Sequence, residues 1–493
     1  MKRVSPESIG LNSENIEKYI KKLENKRLAT HNIIMAKGNK IFFEKYWSPF
    51  NEDFMHRMYS VSKSFVSLAI GFLLQDNKIN LDDTMDMYFS DELQKQPDIN
   101  MHKQTIQDML MMQTAKPNRY WFDYAPEDRV EFYFENDREE SRPGGTIFSY
   151  DSDASFILAA LVERILNKPF MQYLYEKLFI HIGVSKEAYC LKCPGGHSWG
   201  DSGVICTPLD LLKIARFILN GGAWNGKQIL NSEYITFATT PKVFNNYTDI
   251  DNFNTQGYGF QIWGTYRNAF FLNGMGCQFA VCIPDKDMIL IYNGDNQGKE
   301  VVRNCIVDEF FSLIVDAVDD GTIEEEATIT NIYLANNDNF NLISAQGLKH
   351  SKYEKEINNV EYILDENPMG IKKFKITLNE NEGNIEYFNE QGRKELLFGL
   401  CENLISKFPQ EGYSDEVGTI KTQNFYYRCA ASAAWVEPQK LFIKVQIIDK
   451  YFGNMSITIG FKDDVCGLYM EKHAENFLDE YQGFAGGKRK EKS

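Results

Sequence analysis

The sequence predicts an α/β chain of the α+β kind, an antiparallel sheet flanked by helices followed by a β-rich C-terminal domain. Three observations carry this. Residues 1–318 mix strand-like runs with helical periodicity, a charged break (Asp319-Asp320-Gly321-Thr322-Ile323-Glu324-Glu325-Glu326) follows, and residues 330–475 then alternate apolar and polar side chains. Period-two alternation is the mark of strands that bury one face. With 493 residues, 43% of them hydrophobic and 14% aromatic, the chain can fill the cores of two domains. The expected divisions are 1–320, 330–485 and a disordered tail over 486–493.

Taken in order, Ser13 to Asn25 reads as an amphipathic helix. His31 to Ala36 and Ile41 to Tyr46 are strand-like, and Lys37-Gly38-Asn39-Lys40 turns between them, so they form a hairpin. Val61 to Leu74 places Phe65, Leu68, Ala69, Phe72 and Leu73 at helical spacing. Thr105 to Met112 is a short helix, and the aromatic segment Tyr120-Trp121-Phe122-Asp123-Tyr124 is either loop packing or a pocket wall. Pro143-Gly144-Gly145 turns the chain toward Tyr150, just before a helix from Ala154 to Leu166 with Asp151, Ser152 and Asp153 as caps. Met171 to Ile182 is a further helix. Thr207-Pro208 opens another, which closes at Asn220-Gly221-Gly222. Tyr258 to Trp263, Ala269 to Leu272, Gln278 to Ile283 and Met288 to Tyr292 read as strands, and Val301 to Val318 as an amphipathic helix. Beyond the break, Phe374 to Leu378, Leu441 to Ile447 and Ser456 to Phe461 are strands, with Glu395 to Lys407 expected as one helix among them.

A net charge of -16 leaves no basic surface for phosphate, so nucleic acid is not an expected partner. The opening residues Met1-Lys2-Arg3-Val4-Ser5-Pro6 precede no apolar core, and the longest apolar run, Phe65 to Leu74, is too short to span a bilayer. The expectation is therefore a cytoplasmic protein with no membrane partner. Nine cysteines, odd in number and scattered, fit reduced thiols.

The chemistry centres on Tyr59-Ser60-Val61-Ser62-Lys63. Three residues apart at a helix start, Ser60 and Lys63 share one face, where backbone N–H groups are free. A serine hydroxyl becomes a nucleophile when a base takes its proton, and a desolvated lysine can be that base. The S-x-x-K pattern is similar to that of penicillin-recognising serine hydrolases. Further landmarks follow in order: Pro143-Gly144-x-x-x-Phe148-x-Tyr150, Thr207-Pro208-x-Asp210-Leu211, Asn220-Gly221-Gly222 with Trp224-Asn225-Gly226, Gly257-Tyr258-Gly259-Phe260, and Gly274-Met275-Gly276-Cys277-Gln278. On these residues the chain resembles the serine β-lactamase-related hydrolases: class C β-lactamases, their esterase relatives and the aminohexanoate-oligomer hydrolases.

The resemblance implies a β-lactamase/transpeptidase-like fold, with the sheet built from both ends of residues 1–318 and a helical subdomain between. It implies Ser60 as nucleophile, Lys63 and Tyr150 as proton-transfer groups, and the backbone N–H groups of Ser60 and Met275 as an oxyanion hole. Ser152, Leu272, Asn273, Gly274 and Trp121 are the expected substrate-binding residues, with neither metal nor cofactor. Residues 330–493 resemble the β-rich appendage of some members, notably at Ala430-Ala431-Ser432-Ala433-Ala434-Trp435.

Two departures narrow the expectation. The family's Tyr-x-Asn is here Tyr150-Asp151-Ser152, and its third motif is Leu272-Asn273-Gly274. Leu272 brings no cation for a β-lactam carboxylate, so an ester or a small amide is the expected substrate rather than an antibiotic. The alternatives are a catalytically silent ligand- or peptide-binding protein, and an amidase for D-amino-acid or oligoamide substrates. Gly200-Asp201-Ser202-Gly203 mimics a chymotrypsin-type serine motif but lacks the His and Asp landmarks before it. Cys190, Cys193 and His197 offer zinc-type ligands without an evident fourth.

Overall fold

The structure, a computed structural model, describes residues 1–117, 120–247, 252–319, 340–414, 421–474 and 480–490, together with 418 and 478. The chain divides into two compact units, Met1–Asn341 with Asp415–Gly418, and Leu342–Ser414 with Thr419–Ser493.

In the first unit, helix α1 (Ser13–Asn25) starts where the Asn12 side chain accepts from the Glu14 N–H. Seven strands form one sheet: β1 (Lys2–Arg3), β2 (Thr30–Lys37), β3 (Lys40–Tyr46), β4 (Trp263–Gly264), β5 (Phe270–Gly274), β6 (Gln278–Ile283) and β7 (Met288–Gly294). Their order is β1-β3-β2-β7-β6-β5-β4. Residues from both ends of the unit thus meet at the centre, where β2 pairs antiparallel with β7 and Ile34 lies opposite Ile291. The sequence expected a strand from Tyr258 to Trp263, but only Trp263–Gly264 is one. Gln261 adopts φ 61°, a left-handed conformation that breaks a strand.

One sheet face buries Ile33, Met35, Phe271, Phe279 and Leu290 against Ile16, Tyr19 and Leu23 of α1 and against Ile306, Phe310 and Ile314. The last three lie on the helix Cys305–Glu309 and its π-helical continuation Phe310–Val315. Burying each such side chain contributes about 1.5–3 kcal/mol. The helices that serve the site are α2 (Ser62–Gln75), α3 (Arg129–Phe134), α4 (Ser152–Leu166) and α5 (Pro208–Leu219). Every residue of α2 from Ser62 to Leu73 is buried, so it runs through the interior rather than presenting one apolar stripe. A small separate sheet joins His56–Arg57, Val204–Cys206 and Tyr189–Cys190.

The second unit is all antiparallel pairing but for one closure. Its strands are β8 (Glu361–Leu364), β9 (Lys373–Leu378), β10 (Glu382–Asn389), β11 (Gly392–Leu400), β12 (Leu404–Tyr413), β13 (Lys421–Glu437), β14 (Lys440–Ile448), β15 (Phe452–Lys462), β16 (Val465–Ala474) and β17 (Gly483–Arg489). The order is β11-β10-β9-β8-β17-β16-β15-β14-β13-β12, and β11 also pairs parallel with β13 at Gly399 and Leu400, closing a barrel.

Two expectations are corrected here. Glu395 to Lys407 is not a helix but the end of β11 and the start of β12. The supposed tail is ordered through Arg489 as β17, paired with β16 and β8. The charged break lies largely outside the described residues. Among the described residues, no helix is long and apolar enough to cross a membrane.

Candidate active site

Local backbone forces set the segment that carries Ser60. His56–Arg57 pairs with Val204–Cys206, and the Met58 N–H donates to the Val204 carbonyl. The chain then turns sharply. Tyr59 takes φ 47°, a left-handed conformation that costs about 1–3 kcal/mol for a bulky residue. A single 3₁₀ turn, Tyr59–Val61, leads into α2. Ser60 sits in that turn, partly exposed, and Lys63 one turn further on is 1% exposed.

Lys63 Nζ donates to Ser60 Oγ at 3.1 Å and to the Asp201 carbonyl at 2.8 Å. It lies 5.2 Å from the centre of the Tyr150 ring. The Tyr150 hydroxyl bonds neither to Ser60 nor to Lys63. Its ring stacks on Trp263 at 5.4 Å, and Tyr258 meets Trp263 edge-on at 4.9 Å. Burial, with Tyr150 nearby, pushes the Tyr258 phenol well above its ordinary pKa.

Strand β5 closes the other side. A Cβ on Gly274 would come within 2.3 Å of the Met58 carbonyl oxygen, so glycine is what lets this edge lie against the turn that carries Ser60. Met275 opens the β5–β6 turn, and the Cys277 N–H bonds back to the Gly274 carbonyl. Among the described residues, the backbone N–H groups of Ser60 and Met275 have no acceptor, and so remain available as donors to a ligand.

The expected substrate-binding residues divide. Ser152, the first residue of α4, and Asn273 are partly exposed, and Gly274 is buried against the turn. Leu272 has no exposed surface and pairs with Ala280 inside the sheet, so it does not line a ligand site. Trp121 is 3% exposed, packed 5.4 Å from Trp199 and 4.2 Å from Phe122. It stands behind the surface rather than on it.

The segment Trp199-Gly200-Asp201-Ser202-Gly203 is part of the site. Its Ser202 hydroxyl is not a nucleophile in waiting: it accepts from Arg57 Nη2 at 3.0 Å, while Arg57 Nε donates to the Ser202 carbonyl at 2.9 Å. The Arg57 guanidinium lies 4.3 Å from both the Tyr59 and Trp199 rings. Arg129 Nη1 donates to Asp201 Oδ1 at 2.7 Å and Nη2 to Asp153 Oδ1 at 2.8 Å. Burial opposes its charge, but Asp201, Cys193 and Asp153 together raise the guanidinium above its ordinary pKa. Sequence reasoning missed Arg57 and Arg129, and read Asp153 only as a helix cap. The Gly200–Gly203 motif did stand out, though as a false serine site.

His197 pairs with Asp128 at 3.6 Å and Glu163 at 3.9 Å. Burial pushes the Cys193 thiol up to about 12. Among the described residues, no group of three His, Cys, Asp or Glu side chains is arranged to hold a metal.

Antiparallel sheet, buried helix α2 and the Ser60–Lys63 pair define a β-lactamase/transpeptidase-like fold. A family model described as Beta-lactamase matches residues 16–304, more than half of the chain. The chain belongs to the β-lactamase family. It is 24% identical over 223 residues to a 6-aminohexanoate-dimer hydrolase of Paenarthrobacter ureafaciens, a match covering 42% of this chain and 56% of that protein. The chain therefore spans about half the length of this curated relative. An octameric penicillin-binding protein homologue from Pyrococcus abyssi is similar with a TM-score of 0.50 at 14% identity, over 97% of this chain and 99% of that one. A hydrolase with promiscuous acyltransferase activity has a TM-score of 0.50 at 12% identity, over 61% and 98% of the two chains. At these identities the structural likeness concerns fold.

Proposed function

We propose that the protein is a serine hydrolase that cleaves an ester or a small amide through an acyl-enzyme on Ser60. The observation that carries this is Lys63, buried and 3.1 Å from the Ser60 hydroxyl, with the backbone N–H groups of Ser60 and Met275 without acceptors among the described residues. For Ser60 to attack a carbonyl, its proton must pass to Lys63, directly or shared with Tyr150. The developing oxyanion would lie between the N–H groups of Ser60 and Met275, each worth about 3 kcal/mol at the transition state. The leaving alcohol or amine takes the proton back, and a water activated by the same groups releases the acid.

A buried leucine at position 272 supplies no cation for a substrate carboxylate, which favours esters and small amides over β-lactams. The similarity to a 6-aminohexanoate-dimer hydrolase favours amides within that class. Intact-mass analysis after exposure to a fluorophosphonate tests the reading. The wild-type protein gains one adduct, Ser60→Ala gains none, and hydrolysis of an ester and amide panel disappears with the adduct. Labelling of both proteins assigns the nucleophile elsewhere. No labelling, with no turnover of the panel, favours a ligand-binding protein.

A further inference from the structure

We propose that Arg129 is a positioning residue for Lys63, acting through Asp201, so that the reactivity of Ser60 depends on it; this rests on the Ser60–Lys63 reading above. Lys63 ends a flexible four-carbon stem, and among the described residues its one hydrogen-bond anchor beyond Ser60 is the Asp201 carbonyl, 2.8 Å from Nζ. A base held by a single carbonyl is placed only as well as that carbonyl is placed. Asp201 lies in a turn outside any helix or strand, closed by the Ser202 and Gly203 amides on the Trp199 carbonyl, and its own side chain is what a neighbour can hold. Arg129 does so with one arm of its guanidinium on Asp201 Oδ1, at 2.7 Å.

The other arm, at 2.8 Å, is on Asp153, in the first turn of α4 and three residues after Tyr150. One planar fork thus ties the loop that holds Lys63 to the segment that carries Tyr150. The guanidinium is set in turn by the Phe156 ring at 4.2 Å and the Trp121 ring at 4.9 Å. All three charged side chains are almost fully buried. Lysine keeps the charge but cannot make both bonds in one plane. Without the fork the turn loses its hold on the Asp201 side chain, and a displacement of ~1 Å in a catalytic group costs about 100-fold in rate.

The test is a double-mutant cycle on the full chain, read as the rate of fluorophosphonate labelling at Ser60 located by peptide mapping. Arg129→Lys is expected to slow labelling about 10- to 100-fold with an unchanged circular dichroism spectrum. In a Lys63→Ala background the same substitution is expected to change the residual rate by less than about twofold, because the group it positions is gone. An equal loss in both backgrounds means a general structural role and overturns the proposal, as does labelling of Arg129→Lys at the wild-type rate. If Arg129→Lys does not fold, Asp201→Asn keeps the carbonyl and the shape while weakening the grip of Arg129, and goes through the same cycle. Absence of labelling at Ser60 in the wild type overturns the hydrolase reading itself, which is a distinct result.

Discussion

At the scale of single residues, the Ser60–Lys63 pair was readable because the two are neighbours in sequence. Three positions at a helix start fix a shared face, and Lys63 duly meets Ser60 at 3.1 Å. Ser60→Ala is expected to abolish turnover with folding intact, and Lys63→Ala to slow it at least about 100-fold, both measured on the best ester or amide of the panel. Gly274→Ala is a sharper test of geometry. Its methyl would press on the Met58 carbonyl, driving β5 and the Met275 N–H away from Ser60. The expected result is a labelling rate lower by about 100-fold and a stability loss of about 1–3 kcal/mol in urea. Asp201, Arg129 and Asp153 were not readable in the same way. Their association spans long loops, and nothing in local spacing says which arginine will fork two aspartates.

Among elements, those with strong local signals formed as expected. Asp151 is a good example, since its side chain accepts from the Asp153 and Ala154 N–H groups and from the Thr114 hydroxyl. Asp151→Ala should cost about 1–2 kcal/mol, seen as a lower urea midpoint, whereas Asp151→Asn should recover most of it. The failures were elements decided by distant partners. Glu395-Leu396-Leu397 contains good helix formers, yet Glu395 and Leu396 pair with Glu386 and Ile385 across the sheet, and Leu396, Phe398 and Leu400 turn inward. Tertiary pairing outweighed propensity. In strand β17, Gly486 and Gly487 read as flexibility, but Gly487 serves close packing: a Cβ there would lie 2.6 Å from the Ile363 carbonyl oxygen.

For the molecule as a whole, two buried histidines set an acid limit. His31 stacks on Phe50 at 3.8 Å, and His56 lies 5.5 Å from His31. Burial pushes the His56 pKa down to about 3, and burial with the His56 charge nearby holds His31 well below its ordinary value. Both are therefore neutral when folded, while the unfolded chain takes up protons below about pH 6.5. Stability is full above that value and falls as the pH drops toward 3, by up to about 1.4 kcal/mol per pH unit for each histidine. Urea midpoints at pH 7.5 and 5.0 should differ accordingly, and His56→Asn should reduce the difference.

The pairing of β2 with β7 also sets an order of events during synthesis. The hairpin of residues 30–46 leaves the ribosome early, but its central neighbour is residues 288–294. At ~10 residues per second, the intervening chain takes tens of seconds to make. Throughout that interval the hairpin's inner edge is an open template for foreign strands, and α2, buried on every side in the folded protein, has no finished sheet behind it. Nascent chains of this protein should therefore be chaperone clients until β7 emerges, and truncations ending before residue 288 should aggregate while those retaining residues 1–319 stay dispersed in a sedimentation assay.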